Sequence, residues 1–183
     1  MGLGKHANIV YLINFGLSKE YRDPNTHAHI PFQTGLGLVG STIFASINSH
    51  MGLELGRRDD LESLAYMLFY FLWGFLPWQG LVLKGDGIVK SKRGITTHPL
   101  FQGLPSELRM FFDHCCSLPF DGRPNYDHFY LLFESLLVKE GFQSDVAFDW
   151  DVIGAKNRGR FFKKVTADIS PQSPSCKCKR NMG

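Results

Sequence analysis

Six groups of residues in this chain have types and spacings that could do chemistry. Gly35-Leu36-Gly37-Leu38-Val39-Gly40 spells G-x-G-x-x-G, a run that lets backbone approach a pyrophosphate when it joins a strand to a helix and an acid follows about 20 residues on. No strand pattern precedes it here and the next helical pattern begins too late, so loop backbone is the better reading. His27 and His29 carry metal-binding imidazoles, without a third ligand at suitable spacing. Arg57, Arg58 and Arg123 would suit an anion, but arginines at a helix start more often pair with neighbouring acids, here Asp59, Asp60 or Glu62. Cys176 and Cys178 lie among Lys177, Lys179 and Arg180, a pattern open to lipidation beside a polybasic patch. Lys19 offers a cation in a loop otherwise rich in Gly, Pro, Asn, Thr and His. Asn14-Phe15-Gly16 ends the apolar run Ile9-Val10-Tyr11-Leu12-Ile13; the Asn14 carboxamide supplies one neutral oxygen, whereas a hard divalent cation wants an anionic one.

The elements that must position these residues are helical for the most part. Residues 9–13 read as a short buried strand, and residues 16–50, without helical periodicity, as an extended functional loop. A first helix is expected from Asp59 or Asp60 to about Trp73, with Asp59 and Glu62 at capping-box spacing. It is apolar almost all round, which predicts the central helix of a bundle. A second is expected over 106–117, with Leu108, Phe111, Phe112 and Cys115 on one face. A third covers about 126–140, with Tyr126, Phe129, Phe133, Leu136 and Leu137 inward and Gly141 just past its end. Residues 80–104 show no clear period, and residues 154–183 have the composition of a disordered tail.

At 183 residues, 44% hydrophobic and 20% charged, with sixteen Phe, the chain can bury one sizeable core. Its net charge of +3 conceals an asymmetry: residues 154–183 hold eight Lys/Arg and one Asp, a charge of +7 that leaves −4 for residues 1–153. Cys115-Cys116 and Cys176-Lys177-Cys178 fit neither a zinc site nor a small disulfide framework, so a reduced intracellular setting, cytoplasm or nucleus, is expected, with membrane association the lesser alternative. The apolar stretch Leu64–Trp78 is too short for a bilayer, the first six residues lack a signal-peptide core, and His6 stands where a myristoylation pattern wants Ser or Thr.

Several segments occur in one order: Asn14-Phe15-Gly16, Gly16-Leu17-Ser18-Lys19-Glu20-Tyr21-Arg22-Asp23, Thr26-His27-Ala28-His29-Ile30-Pro31, Ala45-Ser46-Ile47-Asn48-Ser49-His50, Arg57-Arg58-Asp59-Asp60-Leu61-Glu62-Ser63-Leu64, Leu76-Pro77-Trp78-Gln79-Gly80 and Phe148-Asp149-Trp150. Over roughly residues 1–151 the chain resembles the casein kinase I family of serine/threonine kinases. The resemblance implies a mainly α fold: a protein-kinase-like C-lobe fragment with a short β-strand or hairpin at the N-terminus, spanning 1–151, then a basic disordered tail over 152–183. It places Asn14 where the family's Asp-Phe-Gly holds Mg²⁺ against ATP, with Phe15 and Gly16 completing the motif. It makes Ser46, Ile47 and Asn48 the end of the activation segment, and Asp60 the buried acid that holds the catalytic loop. Lys19 matches a position that reads substrate phosphate, while Leu36 and Ile43 stand uncharged where two further cations are expected.

No glycine-rich phosphate loop with its lysine strand and no His-Arg-Asp catalytic loop occurs in the chain. The resulting expectation is a truncated, catalytically inactive relative, with no catalytic residue, no metal and no cofactor of its own although ATP and Mg²⁺ serve the family. The alternatives are a working kinase whose N-terminal half lies outside this sequence, and a protein acting through its tail on a membrane or partner. Expected partners are a protein covering an exposed apolar face, a second copy of the chain, and only weakly a membrane through the tail. No aromatic-interleaved basic motif supports specific nucleic-acid binding.

Overall fold

Residues 57–73, four charged residues followed by a largely apolar run, fold as one long helix. In the computed structural model, residues 9–80 and 86–142 are described. Residues Ile13–Gln143 form one compact unit, and Met1–Leu12 with Ser144–Gly183 form another, of which only residues 9–12 are described. The helices are α1 (Ile47–His50), α2 (Arg57–Trp73), α3 (Asp86–Arg93), α4 (Pro99–Gln102), α5 (Ser106–Ser117) and α6 (Tyr126–Lys139), with 3₁₀ turns at Phe15–Leu17 and Ile95–Thr97. The fold is therefore mainly helical. The strand expected at 9–13 is not formed: residues 9–14 carry no regular structure, and the only pairings among the described residues are isolated antiparallel bridges, Arg22 with His29 and Thr34 with Leu53. An apolar run becomes a strand only where a neighbour takes its backbone groups, and no described segment does. The expected domain limit near 151 and the tail beyond it, with Cys176 and Cys178, lie outside the described residues.

Helix α2 starts two residues before its expected beginning, and Asp59 does not cap it from outside. Gly56 is the N-cap, and Asp59, in the first turn, accepts the Gly56 N–H on Oδ2 at 2.8 Å. The cap is glycine for lack of room: a Cβ there would come within 2.5 Å of the Phe120 carbonyl oxygen. Since the cap has no side chain, the acid in the first turn takes over, and its charge suits the helix N-terminus.

The helix is apolar all round but covered on one face only. Asp59, Glu62, Ala65, Tyr66 and Phe69 are buried at i, i+3, i+6, i+7 and i+10, facing α1 and α5. On the opposite side, Asp60, Met67 and Phe71 are exposed at helical spacing, Phe71 to 69%, and the nearby Leu72 is 56% exposed, while Leu64 between them is half-buried against the core. The described elements thus bury one stripe of this helix, and Met67, Phe71 and Leu72 on the other side meet solvent.

The buried stripe joins an aromatic core. Tyr66 meets Trp78 edge to face with centroids 4.9 Å apart, and Phe69 meets Phe101 at 5.8 Å. Helix α5 has its expected bounds and buries the four expected residues Leu108, Phe111, Phe112 and Cys115. Phe111 carries the core on to α6 through Phe129, with centroids 4.9 Å apart. Full burial of each such ring contributes roughly 2–3 kcal/mol. In α6, Phe129 and Leu132 are buried, and Phe133 and Leu136 pack at the margin. Tyr126 faces outward, 50% exposed, because it opens the helix beyond the reach of α5. Gly141, at φ 73, ends the helix as expected: its N–H donates to Val138 O and Phe142 N–H to Leu137 O.

Residues 80–104, without readable period, contain α3, the Ile95–Thr97 turn and α4. Helix α3 is eight residues long and carries three basic residues in its last turn, too short and too polar for a periodic signal. It nevertheless buries Ile88 and Lys92, one turn apart, and Lys92 is 0% exposed.

Lys92 gives the first prediction. Replacing it by Met leaves the Thr42 and Ala45 carbonyls, both of which it bonds, without donors, and we expect a loss of about 2–3 kcal/mol in urea unfolding. Burial lowers the Lys92 ammonium from 10.5 to about 8, against the pull of the Glu62 carboxylate. The unfolded chain therefore holds the proton more tightly, and wild-type stability rises with pH through that window. The gap between wild type and Lys92→Met should widen from pH 8 to 10.5; a constant gap contradicts the assignment.

Candidate functional site

A cleft of about 850 Å³ opens between the 3₁₀ turn, the loop 36–46 and the start of α2, and Asn14, Lys19, Leu36, Phe44, Glu54 and Asp60 are among its lining residues. Asn14 sits in the left-handed region, φ 64 and ψ 62, as the residue before the Phe15–Leu17 turn. Asn tolerates that conformation better than most residues do. Phe15 and Leu17 are exposed, and Gly16 lies against the Asn14 side chain, whose Oδ1 is 3.5 Å from where a Cβ of Gly16 would be.

The fit to Mg²⁺ is poor. Asn14 brings a neutral oxygen, and two carboxylates of the lining, Glu54 and Asp59, are engaged elsewhere. Glu54, buried, accepts two hydrogen bonds of 2.8 Å from Lys19 Nζ. Asp59 accepts from Gly56 N–H and, on Oδ1, from Asn48 Nδ2 at 2.8 Å. Among the described residues, no group of three His, Cys, Asp or Glu side chains comes together as a metal would require.

Lys19, expected as a residual anion position, lies on the cleft with its ammonium held by Glu54. A phosphate would have to compete with a carboxylate already in bidentate contact. Sequence reasoning missed Glu54 because its partner stands 35 residues away. Leu36 lines the same cleft without charge. Asp60 is exposed, and no hydrogen-bond partner of its side chain occurs among the described residues. Crowding by protein atoms and the neighbouring Asp59 charge raise its carboxyl above the usual range, an effect that solvent at its exposed surface moderates.

Ser46, Ile47 and Asn48 tie the loop to α2. Ser46 caps α1 by accepting from Ser49 N–H, Ile47 N–H donates to Glu62 Oε1 at 2.9 Å, and Asn48 donates to Asp59. Glu62 also accepts from the Tyr66 hydroxyl at 2.6 Å. Burial raises the Glu62 carboxyl even though both hydrogen bonds favour its charged form, and it drives the Tyr66 phenol far up, so that hydroxyl stays a donor. The G-x-G-x-x-G run joins neither strand nor helix and forms one wall of the cleft. Val39 in that run is clamped by Ser49, whose Oγ donates to Val39 O at 2.8 Å and accepts from Val39 N–H at 3.0 Å.

The remaining candidates are structural. Arg57 donates to Asp121 O and Arg58 to Leu118 O, each at 2.8 Å, so these cations satisfy carbonyls past the end of α5 rather than the acids expected as their partners. Only Arg58 approaches one, with Nε 3.8 Å from Asp59 Oδ2. Arg123 is exposed. His29 packs edge-on against Phe120, centroids 4.6 Å apart, and His27 holds φ 58 in the turn begun by Asp23. The Asp23 carboxylate accepts from Asn25 and Thr26 N–H, and these bonds lower its carboxyl. Burial lifts the Cys115 thiol to about 12, which keeps it unreactive.

A search of protein-family models finds none that matches this chain. Among the described residues, no helix is long and apolar enough to cross a membrane.

The Lys19–Glu54 pair gives the second prediction. In Glu54→Gln the ammonium loses its counter-charge, and affinity for a phosphoserine peptide should rise several-fold in calorimetry at low salt. Equal affinity for phosphorylated and plain peptide in that variant would show that something other than Glu54 silences Lys19.

Proposed function

We propose that this chain is a casein-kinase-I-like C-lobe that does not transfer phosphate and acts by binding a polypeptide along the outer face of α2. The state of the cleft carries this reading: Asn14 supplies no anionic oxygen, Lys19 is neutralised by Glu54, and Leu36 adds no charge. Phosphoryl transfer is accomplished almost wholly by positioning and electrostatic stabilisation. A site without its metal ligand and with its lysine neutralised lacks the metal and the positioned cation that this chemistry needs, and Arg57 on the same lining is turned to the Asp121 carbonyl. The exposed stripe of Met67, Phe71 and Leu72, with Phe75 just beyond the helix, is the surface such a partner would cover. Large contiguous apolar patches exposed on a protein surface mark interaction sites or a tendency to associate.

Two measurements test this proposal. The purified chain should give no ATP-dependent labelling of casein or acidic peptides above a heat-killed control, and Asn14→Asp should leave that unchanged; Mg²⁺-dependent turnover in either protein defeats the proposal. Phe71→Glu should reduce binding of a hydrophobic dye and shift self-association toward monomer in sedimentation without lowering the unfolding midpoint. A dye-silent wild-type monomer would remove the proposed binding face.

A further inference from the structure

We infer that His50 is an acid-operated latch on the loop wall of the cleft: a proton taken up at Nε2 sets a second cation against Lys92 Nζ and loosens its hold on the Thr42 and Ala45 carbonyls. The geometry is one of counted donors and acceptors. The Lys92 ammonium has three protons, and three acceptors meet it: Ala45 O, Thr42 O at 3.3 Å and His50 Nε2 at 3.2 Å. The rings of Tyr66 and Trp78 complete the site, with centroids 4.7 and 5.3 Å from the nitrogen. His50 Nε2 also lies 3.1 Å from Thr42 O. With a neutral imidazole bearing its proton on Nδ1, the Nε2 lone pair receives the third ammonium proton, so all three are used and the Lys92 cation bridges the two acceptors Nε2 and Thr42 O.

Protonation at Nε2 breaks the match. The new N–H turns to Thr42 O, Lys92 loses its third acceptor, and two positive charges then face each other across 3.2 Å. The Glu62 carboxylate offsets part of the Lys92 charge, but among the described residues no carboxylate pairs directly with either group. From α2, Glu62 is committed to Tyr66 and Ile47, and Asp59 to Gly56 and Asn48. From α3, the neighbouring Arg93 is a further cation, turned toward Met51 Sδ at 3.0 Å. Burial first, then the Lys92 charge, hold the His50 imidazole below its ordinary 6.5, while the Thr42 carbonyl pulls the other way. Because the folded value is depressed, the latch contributes stability above the unfolded value of 6.5 that is lost as pH falls through the folded one.

What opens is local. Trp78 Nε1 still donates to Ile43 O at 2.7 Å, and Ser49 still clamps Val39, so the loop remains tethered while its Thr42 and Ala45 carbonyls lose their cation. Thr42 and Ala45 flank Phe44, and Ser41, Phe44 and Ala45 line the cleft. Acid would therefore loosen this wall whatever the cleft binds.

Hydrogen exchange with mass spectrometry on the full chain at pH 7.5 and 5.5, corrected for intrinsic exchange rates, tests this. Peptides spanning 39–50 should lose about tenfold in protection at pH 5.5 in wild type. In His50→Gln, whose amide oxygen accepts from Lys92 but takes no proton, the loss should vanish. Equal loss in both proteins, or no loss in wild type, overturns the latch. In wild type alone, the His50 carbon-13 shifts should titrate with the same midpoint as the exchange of these peptides; separate midpoints overturn it even if the variant fails to fold.

Discussion

One buried ammonium holds together segments that share no sheet and little helix. Lys92 comes from a short helix of mixed composition, yet its nitrogen takes the Thr42 and Ala45 carbonyls and a ring nitrogen of His50. Burying a charge is costly unless it is paired or fully hydrogen-bonded. Here three acceptors and two aromatic faces meet it, with the Glu62 carboxylate adding a favourable field. An irregular loop would otherwise leave its carbonyls without donors, and a buried carbonyl without a donor is expensive. The same logic recurs around it: Trp78 takes Ile43 O, Ser49 takes Val39 O, and Glu62 takes Ile47 N–H. The loop thus has a fixed shape without regular secondary structure.

That shape decides what the cleft can do. Fixing the loop and the start of α2 brings Lys19 within reach of Glu54 and leaves Asp60 exposed. The cleft then presents a carboxamide, a neutralised lysine, an exposed acid and Arg57, whose guanidinium is turned to the Asp121 carbonyl, an arrangement that offers a magnesium ion carrying phosphate no anionic oxygen at Asn14. Meanwhile the packing of α1 and α5 on one side of α2 uses up its buried stripe and leaves the opposite apolar stripe in contact with solvent. Non-catalysis and partner binding, as proposed, follow from the same placement of α2.

The sequence was most legible where periodicity is strong. Helix α5 and its four core residues, the end of α2, and Gly141 after α6 could all be read from spacing, since long amphipathic segments encode which face is buried. Spacing failed for the shorter elements. Helix α3 has too few residues for a period, and Lys92 looks like a surface lysine because its partners lie 42 to 50 residues away. The run at 9–13 has strand composition, yet a strand needs a neighbour that composition does not reveal. In α2, the apolar periphery did not by itself say which side would be buried, since that depends on where α1 and α5 pack. For the cleft, the identity of Asn14 was readable at once, but the silencing of Lys19 was not, because it depends on a tertiary contact with Glu54.

The central claim is that the cleft around Asn14 is not a metal–nucleotide site. Isothermal calorimetry of the full chain with ATP, in the presence of Mg²⁺ and then of excess chelator, tests it most directly. The account requires no saturable heat that depends on the metal, with any weak heat screened out by salt. Saturable ATP binding that appears with Mg²⁺, vanishes with chelator and is lost in Asn14→Ala would contradict it.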